Sequence, residues 1–513
     1  MIRPSRSTFS HALAGVLAAS FGMAVAHLVA AVTNPASSPV LAVGSTVIDA
    51  TPTPVKEWAV RHFGTADKPV LIGSVLVVTL LVSALAGVLA GRRLRVGLGL
   101  LGILVALAAA AALRRPDATA GDVVPSLVAA VGGLLALWWL VHPRDPSAGA
   151  PEDTTAEPGG AGGSRRAFLV GSGVLLAAGA AAAGAGQWIV RARSRIADIV
   201  LPRPATPLPA LPAGLEAHYP GISPFRTPNG RFYRVDTKLA VPIVDHHSWR
   251  LHVDGLVSRD LSFSYDDLRD LAVEEHDITL TCVSNTVGGK LVGAARWLGV
   301  PVRTLLEMAG PAPQADQVLS TDVDGFTIST PLAALTDGRP ALVAIGMNGE
   351  PLPRQHGFPA RLVTPGLYGF VGATKWLSRL TVTTYADHRA YWTRRGWATD
   401  APIKISSRID TPRPLSSIPA GRHAIGGVAW AQHDGVAKVE VRIDGGAWQE
   451  AVLGPDAGID YWRQWYLPWE ARPGSHQLAV RATGRDGTVQ TAVRASSFPA
   501  GSSGIQEVVV NVT

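Results

Sequence analysis

The sequence predicts a multi-domain chain: an N-terminal α-helical transmembrane region, an α+β domain, and a C-terminal immunoglobulin-like β-sandwich. Three observations carry this. Apolar residues make up 47% of the 513 residues and charged residues only 17%, with the apolar excess confined to the first 190 positions. A soluble protein usually carries about 25% charge, so part of this chain is expected in lipid. Between Trp249 and residue 410 strand and helix patterns are mixed, and beyond Pro412 the helical period disappears. Composition also excludes several classes. Cys282 is the single cysteine, which rules out an intramolecular disulfide, a four-cysteine zinc site and an iron–sulfur cluster. The net charge of +7 comes from scattered basic residues, many flanking apolar segments, so no nucleic-acid partner is expected.

Five apolar segments, Phe9–Val32, Val70–Ala90, Val96–Leu113, Val123–Val141 and Ala167–Val190, approach the length of about 20 residues that crosses about 30 Å of hydrocarbon. Basic residues orient them. Arg3 and Arg6, then Arg92, Arg93 and Arg95, then Arg144, Arg165 and Arg166 fall on one side if the N-terminus is cytoplasmic, with Arg114 and Arg115 as one violation. The expectation is a multi-pass protein of the cell membrane, four spans in residues 1–142 and a fifth at 167–190, with the C-terminal half outside the cytoplasm. The stretch 143–166 reads as a cytoplasmic linker rich in Pro, Gly and Ala. It ends in Ser164-Arg165-Arg166-Ala167-Phe168-Leu169, which resembles the twin-arginine signal read by a translocase for folded cargo. The bland alternative is a pair of positive-inside anchors.

Residues 191–214 form a proline-rich linker, and 215–410 the α+β domain. There Trp249–Leu256 alternates as a half-buried strand, and Ile278–Val283 is a short apolar strand carrying Cys282. Pro301 opens a helix through Ala309 that Gly310 stops. Ala341–Met347 and Trp376–Thr384 read as further strands. In 411–513 two hairpins are expected, Val436–Ile443 with Ala447–Leu453 and His476–Thr483 with Thr488–Val493, and Gln506–Val512 closes the chain. Trp430, Trp448, Trp462, Trp465 and Trp469 are expected as core and interface rather than a ligand cage.

Several signatures fail. Gly288-Gly289-Lys290 is followed by Leu291 where a phosphate loop needs Ser or Thr, and no Gly-x-Ser-x-Gly elbow occurs. Asp245, His246, His247 and His252 are candidate metal ligands, but adjacent histidines on a strand point to opposite faces. His142 lies at a span end and His27 has no clear partner for haem ligation, so anchoring or interfacial roles are expected and no haem. Cys282 stays open: a lone Cys is by base rate a small buried hydrophobe, yet here it faces the polar, glycine-rich run Ser284–Lys290.

The longer patterns tip the balance. Thr279-Leu-Thr-Cys282-Val-Ser-Asn285 followed by Ala295-Arg296-Trp297-Leu298-Gly299-Val300-Pro301 resembles the molybdenum-ligand region of the sulfite oxidase family. So does Met347-Asn-Gly-Glu-Pro-Leu-Pro-Arg354-Gln-His356-Gly-Phe-Pro-Ala-Arg361, continuing through Lys375-Trp376-Leu377, as does Phe232-Tyr233-Arg234 upstream. The resemblance covers residues 215–513, and the sandwich is similar to the family's C-terminal dimerisation domain, which leaves a homodimer open.

The resemblance implies a molybdenum–molybdopterin cofactor with the Cys282 thiolate as metal ligand. It implies pterin or phosphate contacts from Tyr233, His356, Arg361, Lys375 and the backbone of Ala373 and Thr374, with Asn285 shaping the loop. Arg234 matches an arginine near the metal that attracts an anionic substrate. Phe326 stands where the sulfite oxidases carry a tyrosine, and Val283-Ser284-Asn285-Thr286-Val287 replaces their Ala-Gly-Asn-Arg-Arg. The expected activity is a membrane-anchored two-electron oxygen-atom transfer on a small substrate outside the cytoplasm, with sulfur compounds among the candidates and sulfite itself disfavoured. The electron partner is separate, a cytochrome or quinone system. The alternatives are a sulfoxide reductase similar to the periplasmic methionine sulfoxide reductases, and a non-catalytic surface binding protein.

Overall fold

The computed structural model describes residues 6–52, 55, 58–59, 62–63, 66–115, 118–142, 162–194, 196, 199–271 and 273–513. Most of the expected linker, residues 143–161, lies outside them. The chain divides into two compact units. One holds the first 195 residues with Thr237–Ile243, the other Ile196–Asp236 with Val244–Thr513.

The first unit is helical: α1 (Arg6–Val32), α2 (Pro39–Ala50), α3 (Asp67–Arg92), α4 (Leu94–Leu113), α5 (Val124–Val141) and α6 (Gly162–Arg193). Among the described residues five helices are long and apolar enough to cross a membrane, within Thr8–Val32, Asp67–Arg92, Leu94–Leu113, Ala120–Val141 and Phe168–Arg193. The short α2 was not expected from sequence. Small residues let the helices touch, as membrane packing favours. A Cβ on Gly15 of α1 would strike the backbone of Ser83 and Gly87 on α3, and one on Gly87 would strike that of His11. The guanidinium of Arg193 donates to Ala31 O and Val32 O, carbonyls at the C-terminal end of α1.

The second unit holds the α+β domain and the sandwich. Its first sheet runs β2-β1-β10-β5-β6, from β1 (Arg250–Gly255), β2 (Leu261–Ser264), β5 (Gln317–Asp322), β6 (Thr327–Pro331) and β10 (Leu377–Thr383). The other runs β3-β4-β7-β8, from β3 (Glu274–Thr281), β4 (Val292–Pro301), β7 (Leu342–Met347) and β8 (Glu350–Pro351), with β9 (Arg361–Val363) beside β7. Every residue of β7 is buried, so its continuous apolar run is a core strand. The helix expected after Pro301 is α8 (Val302–Ala309), ended by Gly310 in the left-handed region at φ 69°; α7 (Tyr265–Asp270) precedes it.

Nine strands follow residue 405, in sheets ordered β11-β13-β17-β16 and β12-β19-β18-β14-β15. Their ranges are β11 (Ser406–Thr411), β12 (Ser417–Ile418), β13 (Gly421–Trp430), β14 (Val436–Ile443), β15 (Trp448–Glu450), β16 (Val452–Leu453), β17 (Arg463–Ala471), β18 (Gly474–Gly484) and β19 (Gln506–Val512). Ile425 and Trp465 of one sheet share a core with Val441, Val480 and Val510 of the other. The first expected hairpin forms, but its return strand breaks at Ala451: β15 stays with β14 and β16 joins β17. The second stops at a single antiparallel bridge between Thr483 and Val489, with Gln490 N–H bonded to Ala482 O. Thr488–Val493 does not continue as a strand, and Gln490 turns its side chain inward to bond Ser407 and the backbone of Ala482 and Gly504. The first strand of these sheets begins at Ser406, and the sheets share their compact unit with the α+β domain. Four of the tryptophans are buried, Trp430 and Trp462 in a core shared with Val283 and Tyr368. Trp448 lies at the surface under Arg442 and Arg481.

Candidate active site

Strands β3 and β4 pair in register from Glu274↔Gly299 to Thr281↔Val292, so the ten-residue connection 282–291 hangs from the end of a long hairpin. Cys282 is its first residue, one position past the strand. Its N–H donates to Leu291 O at 2.9 Å and its carbonyl accepts from Asn285 N–H at 2.9 Å, closing a turn. Asn285 braces the loop, its Oδ1 accepting from Leu291 N–H at 2.8 Å. Gly288-Gly289-Lys290 lies in this hairpin loop, not between a strand and a helix as a phosphate loop would. Burial pushes the Cys282 thiol up, with hydrogen bonds from Ser284 and the charge of Lys375 opposing.

The second wall is the run 354–376. Arg361 opens β9 and is buried. Its guanidinium donates to the carbonyls of His356 (3.1 Å), Ala373 (3.3 Å) and Leu362 (3.4 Å) and lies 5.1 Å from the centre of the Trp297 ring. Among the described residues no carboxylate forms an ion pair with it. Burial lowers its pKa to about 10. Lys375, also brought low by burial, to about 8, pairs with Asp236 at 2.8 Å. Asp236 simultaneously accepts from Arg234 Nε at 2.9 Å, and the Arg234 side chain remains 35% exposed. His356 is buried and held near pKa 4 by burial, with the charges of Arg361, Lys375 and Arg234 adding to the effect. Its neutral ring donates Nε2–H to Asn229 O at 2.9 Å, leaving Nδ1 as an acceptor. Tyr233 stacks on Phe232, and burial together with the Cys282 sulfur raises its phenol pKa.

Buried Arg361, half-buried Lys375 and exposed Arg234 have one carboxylate near them, shared by Lys375 and Arg234, so the site is short of negative charge, and buried cations are costly unless paired. The hydroxyls of Thr281, beside Cys282, and Thr364, beside β9, are buried without a hydrogen-bond partner. These residues fit an anionic, phosphate-bearing cofactor with oxygen and nitrogen groups to satisfy them, next to a thiol able to ligate a metal.

Most of the residues expected at the site converge here: Cys282, Asn285, Tyr233, Arg234, His356, Arg361 and Lys375. Ala373 and Thr374 lie beside them, but the Ala373 N–H is spent on Gly369 O, and the Thr374 hydroxyl on Ser320 at 2.6 Å. Phe326 packs against Tyr391 and Trp392, at ring distances of 5.0 and 6.4 Å. Two residues were missed. Asp236 is two positions beyond Arg234, where an exposed loop carboxylate would be the default reading. Tyr368 is buried, its pKa raised to about 12 by burial with the Cys282 sulfur contributing; an aromatic residue in a Gly-rich run carries no sequence signal for that. The four candidate metal ligands do not lie on one strand. Asp245, His246 and His247 sit in a turn before β1 with their ligand atoms within 4.8 Å of one another, while His252 lies apart on β1.

Residues 238–392 match the family described as oxidoreductase molybdopterin binding domain. The chain is 33% identical to mitochondrial sulfite oxidase of Mus musculus over 301 residues, 50% of this chain and 55% of that one. It is 30% identical to sulfite oxidase of Gallus gallus over 317 residues, 52% of this chain and 68% of that one. It thus spans about half the length of the mammalian relatives and two thirds of the avian one. The crystal structure of the sulfane dehydrogenase SoxCD from Paracoccus pantotrophus shares the fold over 61% of this chain and 90% of that one, with a TM-score of 0.50 at 23% identity. With its cysteine-led hairpin loop and buried cation cluster in the matched region, the chain belongs to the sulfite oxidase family of molybdopterin-dependent oxidoreductases.

Proposed function

We propose that the chain is a membrane-anchored molybdopterin oxidoreductase acting on a small sulfur-containing substrate outside the cytoplasm. The observation that carries this is the buried Arg361 guanidinium, without a carboxylate of its own among the described residues and grouped with Lys375 and His356 beside Cys282. Bound there, the cofactor supplies two-electron oxygen-atom transfer. Arg361 and Lys375 hold its phosphate, Arg361 through its planar fork. His356 offers Nδ1 and Tyr233 its phenol to the pterin, and the Cys282 thiolate ligates the metal. Arg234, tethered by Asp236 yet partly exposed, draws in a substrate anion. The five apolar helices and their basic flanks favour an anchored protein with this half outside, and the two-sheet domain favours an immunoglobulin-like module that could pair two copies. Electrons leave or arrive through a separate cytochrome or quinone partner.

Phe326 favours a second reading within this class. Without a phenol there, a site for a tetrahedral oxyanion loses a donor, and one such loss costs about 2.7–4 kcal/mol of transition-state stabilisation. A neutral sulfoxide makes less demand on that donor. The test is molybdenum and pterin content of the protein purified from its native membrane, followed by sulfite and sulfoxide turnover with oxidising and reducing partners. We expect stoichiometric metal, weak sulfite oxidation, and loss of all turnover in Cys282→Ser with expression unchanged. Ordinary activity in that variant would remove the central assignment.

A further inference from the structure

The loop that carries Cys282 is held from outside its own domain. The Ser502 hydroxyl, in the segment leading into β19, donates to Asn285 O at 2.5 Å, and both residues are buried. Arg408 of β11 donates from Nη1 to Gly289 O at 2.8 Å. Its other nitrogens are engaged with Asp410 (2.6 Å) and Ser223 (2.8 Å), so the guanidinium is oriented on all sides. Gln506 packs against Gly288 while its Oε1 accepts from Ile409 N–H. The strand feeding the loop is gripped as well. Thr279 donates its N–H to Asp460 O, accepts from Trp462 N–H at its hydroxyl, and accepts from Gln432 Nε2 at its carbonyl. Beside Ser502, Gly501 lies against the Tyr368 ring so closely that any Cβ would overlap it, and Lys404 Nζ binds its carbonyl.

We infer that the sandwich is a working part of the site, with Ser502 and Arg408 as positioning residues that hold the Cys282 loop by its backbone carbonyls. An ordinary domain interface would bury side chains against side chains. Here the donors land on loop carbonyls three and seven residues beyond Cys282, in a segment that lacks a partner strand for them. A thiolate ligand must be fixed to a fraction of an ångström, and a ten-residue hairpin loop cannot do that unaided. The importance of this positioning rests on the reading of Cys282 as a metal ligand; the clamp itself does not.

Because Cys282 is the only thiol in the chain, its reactivity reports on the loop without ambiguity. Full-length protein is prepared without cofactor, from a host unable to make molybdopterin, and alkylation by a maleimide is timed across sub-denaturing urea. Ser502→Ala and Arg408→Lys should each speed alkylation about tenfold, about 1.4 kcal/mol of local opening, with a urea dependence as shallow as the parent's. Ser502→Thr, which keeps the hydroxyl, should restore the parent rate to within about twofold. In cofactor-loaded protein the first two variants should lower kcat while leaving KM unchanged. Unchanged alkylation in both variants, or acceleration that rises steeply with urea as global unfolding does, would overturn the clamp. Absence of molybdenum from the parent would instead defeat the reading of Cys282 as ligand, while the alkylation result would still decide the clamp.

Discussion

At the scale of single residues, burial sets the chemistry of the site. Arg361, Lys375 and His356 are kept far enough from water that the charged form of each is disfavoured; neighbouring cations add to this for Lys375 and His356, while Tyr233 opposes it at Arg361, Asp236 at Lys375 and the Asn229 carbonyl at His356. For His356 the sign can be worked through. Its folded pKa near 4 lies below the ordinary 6.5, so the unfolded chain binds more protons between those values, and stability is lost as pH falls through that window. The slope from one such group reaches at most about 1.4 kcal/mol per pH unit. We expect the thermal midpoint of the cofactor-free protein to fall on acidification from pH 6.5 to 4. In His356→Gln, whose amide can still donate to Asn229 O, that fall should be shallower. Scanning fluorimetry of both proteins across the window checks this, and parallel curves would show that His356 titrates freely in the fold.

At the scale of elements, the outcome depends on where a backbone is allowed to come close. The α1–α3 crossing is built on Gly15 and Gly87, where any side chain would run into backbone. Gly99 on α4 has nothing within 4 Å of the place its Cβ would occupy. Gly87→Leu should therefore lower the thermal midpoint in detergent by several degrees, and Gly99→Leu should leave it within about a degree. A common loss in both would point to helix insertion rather than packing. The hairpin of β3 and β4 is the matching case in the other unit. Its register places Cys282 at the loop mouth, so one residue of slip would move the thiol to the opposite face.

At the scale of the molecule, the proposed topology requires residues 201–513 to reach the far side of a membrane. A domain loaded with its cofactor in the cytoplasm must cross folded, and Arg165 and Arg166 lie at the start of α6, ahead of the fifth apolar stretch. A charge-based anchor accepts Lys for Arg, and a receptor-read signal does not. We expect Arg165→Lys with Arg166→Lys to keep the first four spans inserted and to leave residues 201–513 inside. Protease added to spheroplasts should then cut that domain in the parent and spare it in the variant. Equal cleavage would leave the pair as plain anchors.

What the sequence determined by itself is whatever rests on local pattern or on long motifs. The apolar stretches, the helix between Pro301 and Gly310, the buried strand at β7, and the grouping of Cys282, Arg234, His356, Arg361 and Lys375 all follow from spacing along the chain or from a run of matched residues. Tertiary structure alone decided the rest. Thr488–Val493 has the composition of a strand, yet Gln490 bonds inward and pairing stops at one bridge between Thr483 and Val489. His246 and His247 alternate as on a strand, yet a turn brings them together with Asp245. Asp236, Tyr368, Ser502 and Arg408 belong to the site only because segments up to 217 residues apart are folded against one loop. A hydrogen bond or an ion pair depends on distance in space, and a sequence read one residue at a time carries no measure of it beyond the reach of a turn, a helix or a strand.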